Sequence, residues 1–417
     1  MFQSLLNAWR LPDLRKRLLF TALIIALYRL GSYIPVPGID LAAIKDLFAG
    51  GGAFAFMDLF VGGALNRVAV FALGIMPYIT ASIILQLLGV VVPQLQALAK
   101  EGEAGAKKMN QYTRYLTLAL ALVQSVMFVF LFRGQGAFTA ANPLNALRFF
   151  LIVFTLTVGT MLVMWLGELI TQRGIGNGIS LIIFSSIVSR LPSGLYKMFT
   201  TMNPLAWLLM AAVALGVVAA IVYMTEAQRR VPVQYAKRVV GRKVYGGQST
   251  YLPMKLNMAG VIPVIFASSL LLFPVTIAQM TPWGWAKSLA AAVGPSSWWY
   301  LLAEVVLIIF FTFFYTAVQF NPIDQADNLK KYGGFVPGIR PGRPTAQYLD
   351  KILTRITLPG AFFLAAVAAL PQLLIRGFNV PFYFGGTSIL IVVGVALDTM
   401  KQMEAQLLMR HYEGFLK

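Results

Sequence analysis

Apolar residues along this chain gather into ten long runs separated by polar stretches, covering approximately Leu18 to Ile34, Val68 to Val92, Tyr115 to Phe132, Phe149 to Ile170, Ile179 to Leu191, Ala206 to Met224, Met258 to Ile277, Tyr300 to Phe320, Ile356 to Ile375 and Phe382 to Leu397. A hydrocarbon core about 30 Å thick takes about 20 helical residues to cross, so each run is read as a membrane-crossing helix. Several contain Gly or Pro, which softens their boundaries. A transmembrane barrel would instead show many short alternating segments.

Superimposed on the runs is a repeat. The pattern G-x-x-P-x-I-x-A-S occurs at Gly74 to Ser82 and again at Gly260 to Ser268, inside the second run of each half. Five crossings per half is an odd number, so the halves enter the membrane from opposite faces and form inverted repeats. Such folds place their working path at the interface between the halves and use interrupted helices there. The expected architecture is an all-α polytopic membrane protein of two inverted five-helix halves, residues 1–200 and 201–417.

Composition agrees, since 58% hydrophobic and 12% charged residues in 417 are too apolar for a soluble domain. Met1 to Arg17 is long and polar, and no small-residue cleavage motif closes the run from Leu18, so the first segment is expected to stay. With no cysteine there is neither a disulfide framework nor a thiolate site. Charge orients the segments: most of the 34 Lys and Arg fall in the N-terminal tail, every second loop and the C-terminal tail, which assigns both termini to the cytoplasmic face.

Two loops on that face are longer than a turn requires. Residues 225–257 carry Arg229, Arg230, Lys237, Arg238, Arg242, Lys243 and Lys255 against the single acid Glu226, with tyrosines interspersed. Residues 321–355 hold several Gly and Pro around Arg340 and Arg343 and read as a turn-rich, protruding loop. Such cationic tips favour polyanionic or acidic partners through salt-sensitive attraction, or anionic lipid headgroups.

Catalysis has no foothold. The one histidine, His411, rules out a Ser-His-Asp triad in the membrane or a histidine metal cluster. The glycines of Gly174 to Gly178 lack the Gly-Lys-Ser/Thr of a phosphate loop and serve a tight bend instead. Neither a cofactor nor a metal is expected. Among the ionisable residues of the runs, Arg29, Glu168 and Glu304 lie near ends, leaving no central carboxylate for a proton- or ion-coupled transporter. Isoleucines are more suggestive. Ile75 and Ile79 are four apart, as are Ile183 and Ile187, so each pair projects from one helix face, and Ile265 is the repeat partner of Ile79. An apolar constriction of such side chains resists ions, which would have to shed hydration; packing against lipid or other helices is the alternative.

Four stretches carry a family resemblance: FALGIMPYITASIILQLL (Phe71 to Leu88), RGIGNGISLIIF (Arg173 to Phe184), YAKRVVGRKVYGGQSTYLPMKLNMAGVIPVIFASS (Tyr235 to Ser269) and FVPGIRPG (Phe335 to Gly342). Over essentially its whole length the chain resembles the SecY family, central subunits of the bacterial protein-conducting Sec translocon. The resemblance implies an hourglass of ten helices and a lateral gate between segments two and three and segments seven and eight. It implies a pore ring of Ile75, Ile79, Ile183, Ile187, Ile265 and Ile391, the last entering only by resemblance. A plug is implied at about residues 53–67, with Phe60, Gly62, Gly63, Ala64 and Leu65. Val61 stands there in place of a small polar residue. Thr80, Gln124 and Asn257 match polar positions whose hydrogen bonds hold the gate between helices. Arg230, Lys237, Arg238, Arg242, Lys243 and Arg340 match positions that dock the ribosome, through ribosomal RNA, and the ATPase SecA. The other implied partners are SecE-like and SecG-like subunits, signal peptides, nascent polypeptides and membrane lipids; the implied location is the bacterial inner membrane, and the implied activity is passive, gated conduction of unfolded chains rather than an enzymatic reaction.

Overall fold

The computed structural model describes residues 11–414 apart from 42–43, 45–52, 135, 139–142, 202, 236–237, 241–242, 246–248, 281–282, 286–287, 289–291, 293, 295–296 and 379–385. In chain order its helices are α1 (Pro12–Gly31), α2 (Ala53–Val61), α3 (Met76–Val91), α4 (Pro93–Lys100), α5 (Glu103–Gly134), α6 (Ala146–Arg173), α7 (Gly178–Val188), α8 (Leu191–Thr201) and α9 (Pro204–Glu226). Strands β1 (Gln228–Tyr235), β2 (Arg238–Val240), β3 (Lys243–Tyr245) and β4 (Ser249–Lys255) follow. Then come α10 (Ile262–Met280), α11 (Trp298–Gln319), α12 (Pro322–Lys331), β5 (Gly334–Phe335), α13 (Arg343–Phe378) and α14 (Gly386–Gly414).

Each of the ten apolar runs overlaps a helix: α1, α3, α5, α6, α7, α9, α10, α11, α13 and α14. Six helical stretches, Glu103–Gly134, Ala146–Arg173, Gly178–Tyr196, Trp207–Glu226, Trp298–Lys331 and Arg343–Leu374, are long and apolar enough to cross a membrane, while Met76–Val91 and Ile262–Ala278 are shorter apolar helices. Outward faces stay greasy, with Leu19, Leu23, Leu27 and Leu30 exposed along α1 and Leu205, Leu208 and Leu215 along α9. Continuous apolar surface of this kind is stable in lipid rather than water.

Helix starts obey local chemistry. Proline occupies the first turn of α1, α3, α4, α9 and α12, where its missing N–H costs no helical bond. Asn177 Oδ1 accepts from the backbone N–H of Ile179 and Ser180 to cap α7, and Ser297 and Asn321 cap α11 and α12.

Two helices start later than the hydrophobic pattern predicts. The second run is helical only from Met76, and the seventh only from Ile262. Gly74 (φ 56°) and Gly260 (φ 63°) precede them in the left-handed region, which side chains with a Cβ rarely adopt. Pro77 and Pro263 are then the second residues of α3 and α10. The repeated motif is thus a helix-start device used twice. Upstream of α3, residues 62–75 form turns that are buried except around Asn66 and Arg67, pinned by Val36 N–H to the Val68 carbonyl (2.9 Å) and Val70 N–H to the Ile34 carbonyl (2.9 Å). An apolar run records burial, and a tightly turned buried segment reads like a helix.

The two long basic loops are more ordered than their composition predicts. β1 pairs antiparallel with β4 from Gln228↔Lys255 to Gln234↔Ser249 and with β5 through Gln234↔Phe335, giving the sheet order β4-β1-β5. Val231 and Val233 alternate inward along β1. Val231, Met254, Phe320, Val336, Leu349, Ile352 and Leu353 form a small core beneath the sheet. α13 begins at Arg343, well ahead of the ninth run, and supplies three of those residues.

The main core is one cluster extending through the helices. Within the first half α6 packs on α1, α5 and α7; within the second α11 packs on α10 and α13. The two sets meet where α10 touches α3 and α5 and where α14 touches α7. Gly159 sets one close approach: a Cβ there would overlap the Val70 carbonyl oxygen. Gly159→Val should therefore destabilise the protein by about 1–3 kcal/mol, the usual cost of overpacking. Gly216→Val on α9, where no atom lies within 4 Å of an added Cβ, should be neutral; equal thermal midpoints for the two variants in detergent would refute the assignment.

Candidate functional site

The six isoleucines come from four helices. Ile75 immediately precedes α3 and Ile79 lies one turn along it; Ile183 and Ile187 are one turn apart on α7; Ile265 is on α10 and Ile391 on α14. All are buried, none more than 5% exposed, and all belong to one contiguous apolar cluster. α3 touches α10, α10 touches α14 and α14 touches α7, while α2 reaches both α7 and α10. Aliphatic side chains in such a setting offer a hydrated ion no ligand.

On one side of the isoleucines is a polar cavity of ≈ 340 Å³ at the near ends of α7, α9, α10 and α11 and beside the middle of α14, with Asn177, Ser180, Asn257, Gln319, Asp398 and Lys401 in its wall. On the other side is the segment expected as a plug. Phe60 and Leu65 join the isoleucine cluster, and Gly62, Gly63 and Ala64 are buried beside them. Along α7 the order is cavity residues Asn177 and Ser180, then Ile183, then Ser186 beside Ile187, and just past the helix end Arg190, the last of these and Ser186 being the segment's neighbours. Val61, where the resemblance leads one to expect a small polar residue, is 1% exposed, and a Cβ at Gly74 would meet its methyl at 3.0 Å. Its bulk fills the space that Gly74 leaves.

Two ionisable residues whose burial the hydrophobic pattern does not reveal lie inside. Asp58, the single acid of α2, is 2% exposed and bonds Arg190 and the backbone N–H of Leu65 and Asn66. Burial pushes its carboxyl up from the ordinary value, and the Arg190 guanidinium pulls it back. Glu304, near the start of α11 as the sequence placed it, is nevertheless 1% exposed; its Oε2 accepts from Gln372 Nε2 of α13 at 2.9 Å, and Oε1 has no hydrogen-bond partner. α11 already faces α13 there, so distance from the end of an apolar run does not measure burial. The available signal was a charged residue within or beside an apolar helix, which is a functional candidate by default.

Of the three polar positions expected at the gate, Thr80 and Asn257 bond locally rather than across it. Thr80 Oγ1 donates to the Met76 carbonyl (3.1 Å) in its own helix, and Asn257 Nδ2 donates to the Gly260 carbonyl (3.0 Å). Asn257 Oδ1 and Gln124 Oε1 are buried without a partner. A threonine hydroxyl finds the carbonyl four residues back closer than any group on another helix. Among these three residues no hydrogen bond crosses the α3–α10 contact, which is held by packing.

The basic positions divide. Arg230, on β1, and Arg340, five residues after β5, are exposed at the same sheet. Arg238 and Lys243 lie in the antiparallel β2–β3 ribbon, and Lys237 and Arg242 fall outside the described residues. Among the described residues there is no group of three or more His, Cys, Asp or Glu placed to hold a metal ion.

Residues 69–400 match the family model described as SecY. The protein translocase subunit SecY of Streptomyces scabiei is 50% identical over 441 aligned positions covering all of both chains. That of Corynebacterium glutamicum is 48% identical, over 99% of this chain and all of the relative. Among solved structures, one described as "The structure of a protein conducting channel" superimposes with a TM-score of 0.62 at 20% identity, covering 93% of this chain and 91% of the other. Sec61 in the canine ribosome-channel complex from the endoplasmic reticulum gives 0.61 at 20% identity over the same shares.

Proposed function

We propose, from the premise that this chain belongs to the SecY family, that its six isoleucines form the flexible seal of the protein-conducting channel the family provides. The protein is a multi-pass membrane channel for polypeptide translocation, not an enzyme. In the proposed working cycle an unfolded chain enters through the polar cavity, an apolar signal segment parts α3 from α10, α2 and its following turn move aside, and the isoleucines close around the extended backbone. Segments of about 20 apolar residues leave sideways because lipid solvates them better than a wet pore; secretory segments continue outward.

The observation that carries this reading is the serial order along α7 of polar cavity, buried isoleucines and α2 contacts. The gate follows from the α3–α10 contact, which lacks cross-bonds at Thr80, Gln124 and Asn257 and so opens by exchanging apolar surface for apolar surface. Residues 1–200 and 201–417 act as the two halves. Both termini face the cytoplasm in the bacterial inner membrane, and SecE-like and SecG-like subunits accompany the chain there. Arg230, Arg340 and the β2–β3 ribbon dock the ribosome or SecA, which supplies the driving force.

A solute transporter is the competing class. Its hallmark would be a carboxylate at the constriction itself; Asp398 lines the cavity and Asp58 holds the turn after α2, but the six residues of the seal are all isoleucine, and the buried Glu304 sits on α11, which carries none of them. The deciding experiment stalls a secretory precursor in the channel complex with photoreactive probes placed singly at Ile79, Ile183 and Ile265. Adducts to the precursor are expected at all three. Adducts to lipid alone would remove the seal.

A further inference from the structure

The turn after α2 is held by polar contacts of a kind its apolar neighbours do not make. Asp58 Oδ1 accepts the backbone N–H of Leu65 (3.1 Å) and Asn66 (3.0 Å), folding the turn onto the helix. Its Oδ2 accepts from Arg190 Nη2, just beyond α7. Arg29 of α1 donates to the Gly62 carbonyl (3.3 Å) and to the Ser185 carbonyl (2.6 Å), stitching the same turn to α7 from the other side. Beneath it Tyr28 Oη shares a hydrogen bond with Ser186 Oγ at 2.7 Å.

The two glycines of the turn complete the fit. Gly62 (φ 68°) and Gly63 (φ 91°) are left-handed, and a Cβ would meet Arg29 Nη1 at 2.6 Å and Arg190 Nη2 at 3.0 Å. Gly62 therefore leaves room for the Arg29 guanidinium to reach its carbonyl, and Gly63 for that of Arg190 to reach Asp58. Apolar burial such as that of Met57 and Phe60 in the main core is non-directional, so by itself it allows the segment to slide. A charge pair with one nearly buried partner does not: separating it within the protein strands a buried carboxylate, whereas separating it into a water-filled path does not.

We propose that Asp58 and Arg190, with Arg29 as a brace, are positioning residues that latch the plug and set the free energy of resting closure. This rests on reading α2 and its turn as the plug. The test measures resting ion conductance of the channel complex, purified with its co-assembled subunits, in planar bilayers. Asp58→Asn and Arg190→Ala should each raise conductance about ten-fold, equivalent to ~1.4 kcal/mol of lost closure. Arg190→Lys should stay near the native level. Because both single variants break one interaction, the double variant should leak no more than either alone. Thermal midpoint and yield, followed in parallel, separate a latch from a general loss of folding. Should Asp58→Asn fail to assemble, the Arg190 variants, whose side chain is 30% exposed, carry the test. A deletion of residues 57–65 probes the plug reading itself. If the deletion leaks while Asp58→Asn and Arg190→Ala conduct like the native complex, or if their effects multiply in the double variant, the latch is overturned and the plug stands. If the deletion does not leak, both are overturned.

Discussion

Replacing Ile79 and Ile265 together by asparagine is expected to raise the resting ion conductance of the purified complex on the order of 100-fold, as ~2.7 kcal/mol off a permeation barrier yields. The two side chains come from helices α3 and α10, which touch. An ion crossing between them finds only alkyl groups and must give up hydration; an amide on each side replaces part of it. Buried amides also cost stability, by about 1–3 kcal/mol each when unpaired, so a control must share that cost without the leak. Ile308→Asn on α11 serves, being fully buried in the same cluster on a helix that carries none of the six isoleucines. Planar-bilayer recordings in which the double variant and Ile308→Asn conduct alike would remove the seal from these positions.

The second large effect is expected at the β4-β1-β5 sheet. Reversing Arg230, Lys237 and Arg340 to glutamate should slow partner-driven transport of a secretory precursor into vesicles about ten-fold at low ionic strength. Abundance should hold, because Arg230 and Arg340 are exposed and make no ion pair among the described residues. The gap to the native channel should narrow as salt is raised, since screening over about 10 Å at 0.1 M weakens attraction between exposed charges. Transport at the native rate across the salt series would exclude docking through these side chains. Transport that falls equally at all salt concentrations would point to folding instead.

Much of this arrangement is legible in the chain. Ten runs of apolar residues place ten helices because the bilayer fixes their minimum length. Four-residue spacing of Ile75 with Ile79 and Ile183 with Ile187 brings each pair to one face. Gly74 with Pro77 and Gly260 with Pro263 encode a left-handed residue followed by a helical first turn, although an apolar run alone suggests unbroken helix from Val68. What stays hidden depends on distance along the chain. Asp58 and Arg190 are 132 residues apart, and neither one's surroundings specify the other. Ile391 lies in no paired spacing and enters the ring only through family resemblance. The sheet is hidden for another reason: β1 finds its partners in β4 and in β5, about 100 positions away, and glycines and prolines around that distant strand suggest loop when taken alone.

That shared strand also ties two regions into one moving part. β1 bonds β4 along seven positions and β5 along two, and their common apolar underside rests on the first turns of α13. β4 ends at Lys255 and α10 begins at Ile262, so only a short leash joins the sheet to the helix bearing Ile265. If a partner docks as proposed, pressing on Arg230 or Arg340 would haul on that leash, and torque applied outside the bilayer would arrive at the helix bearing Ile265.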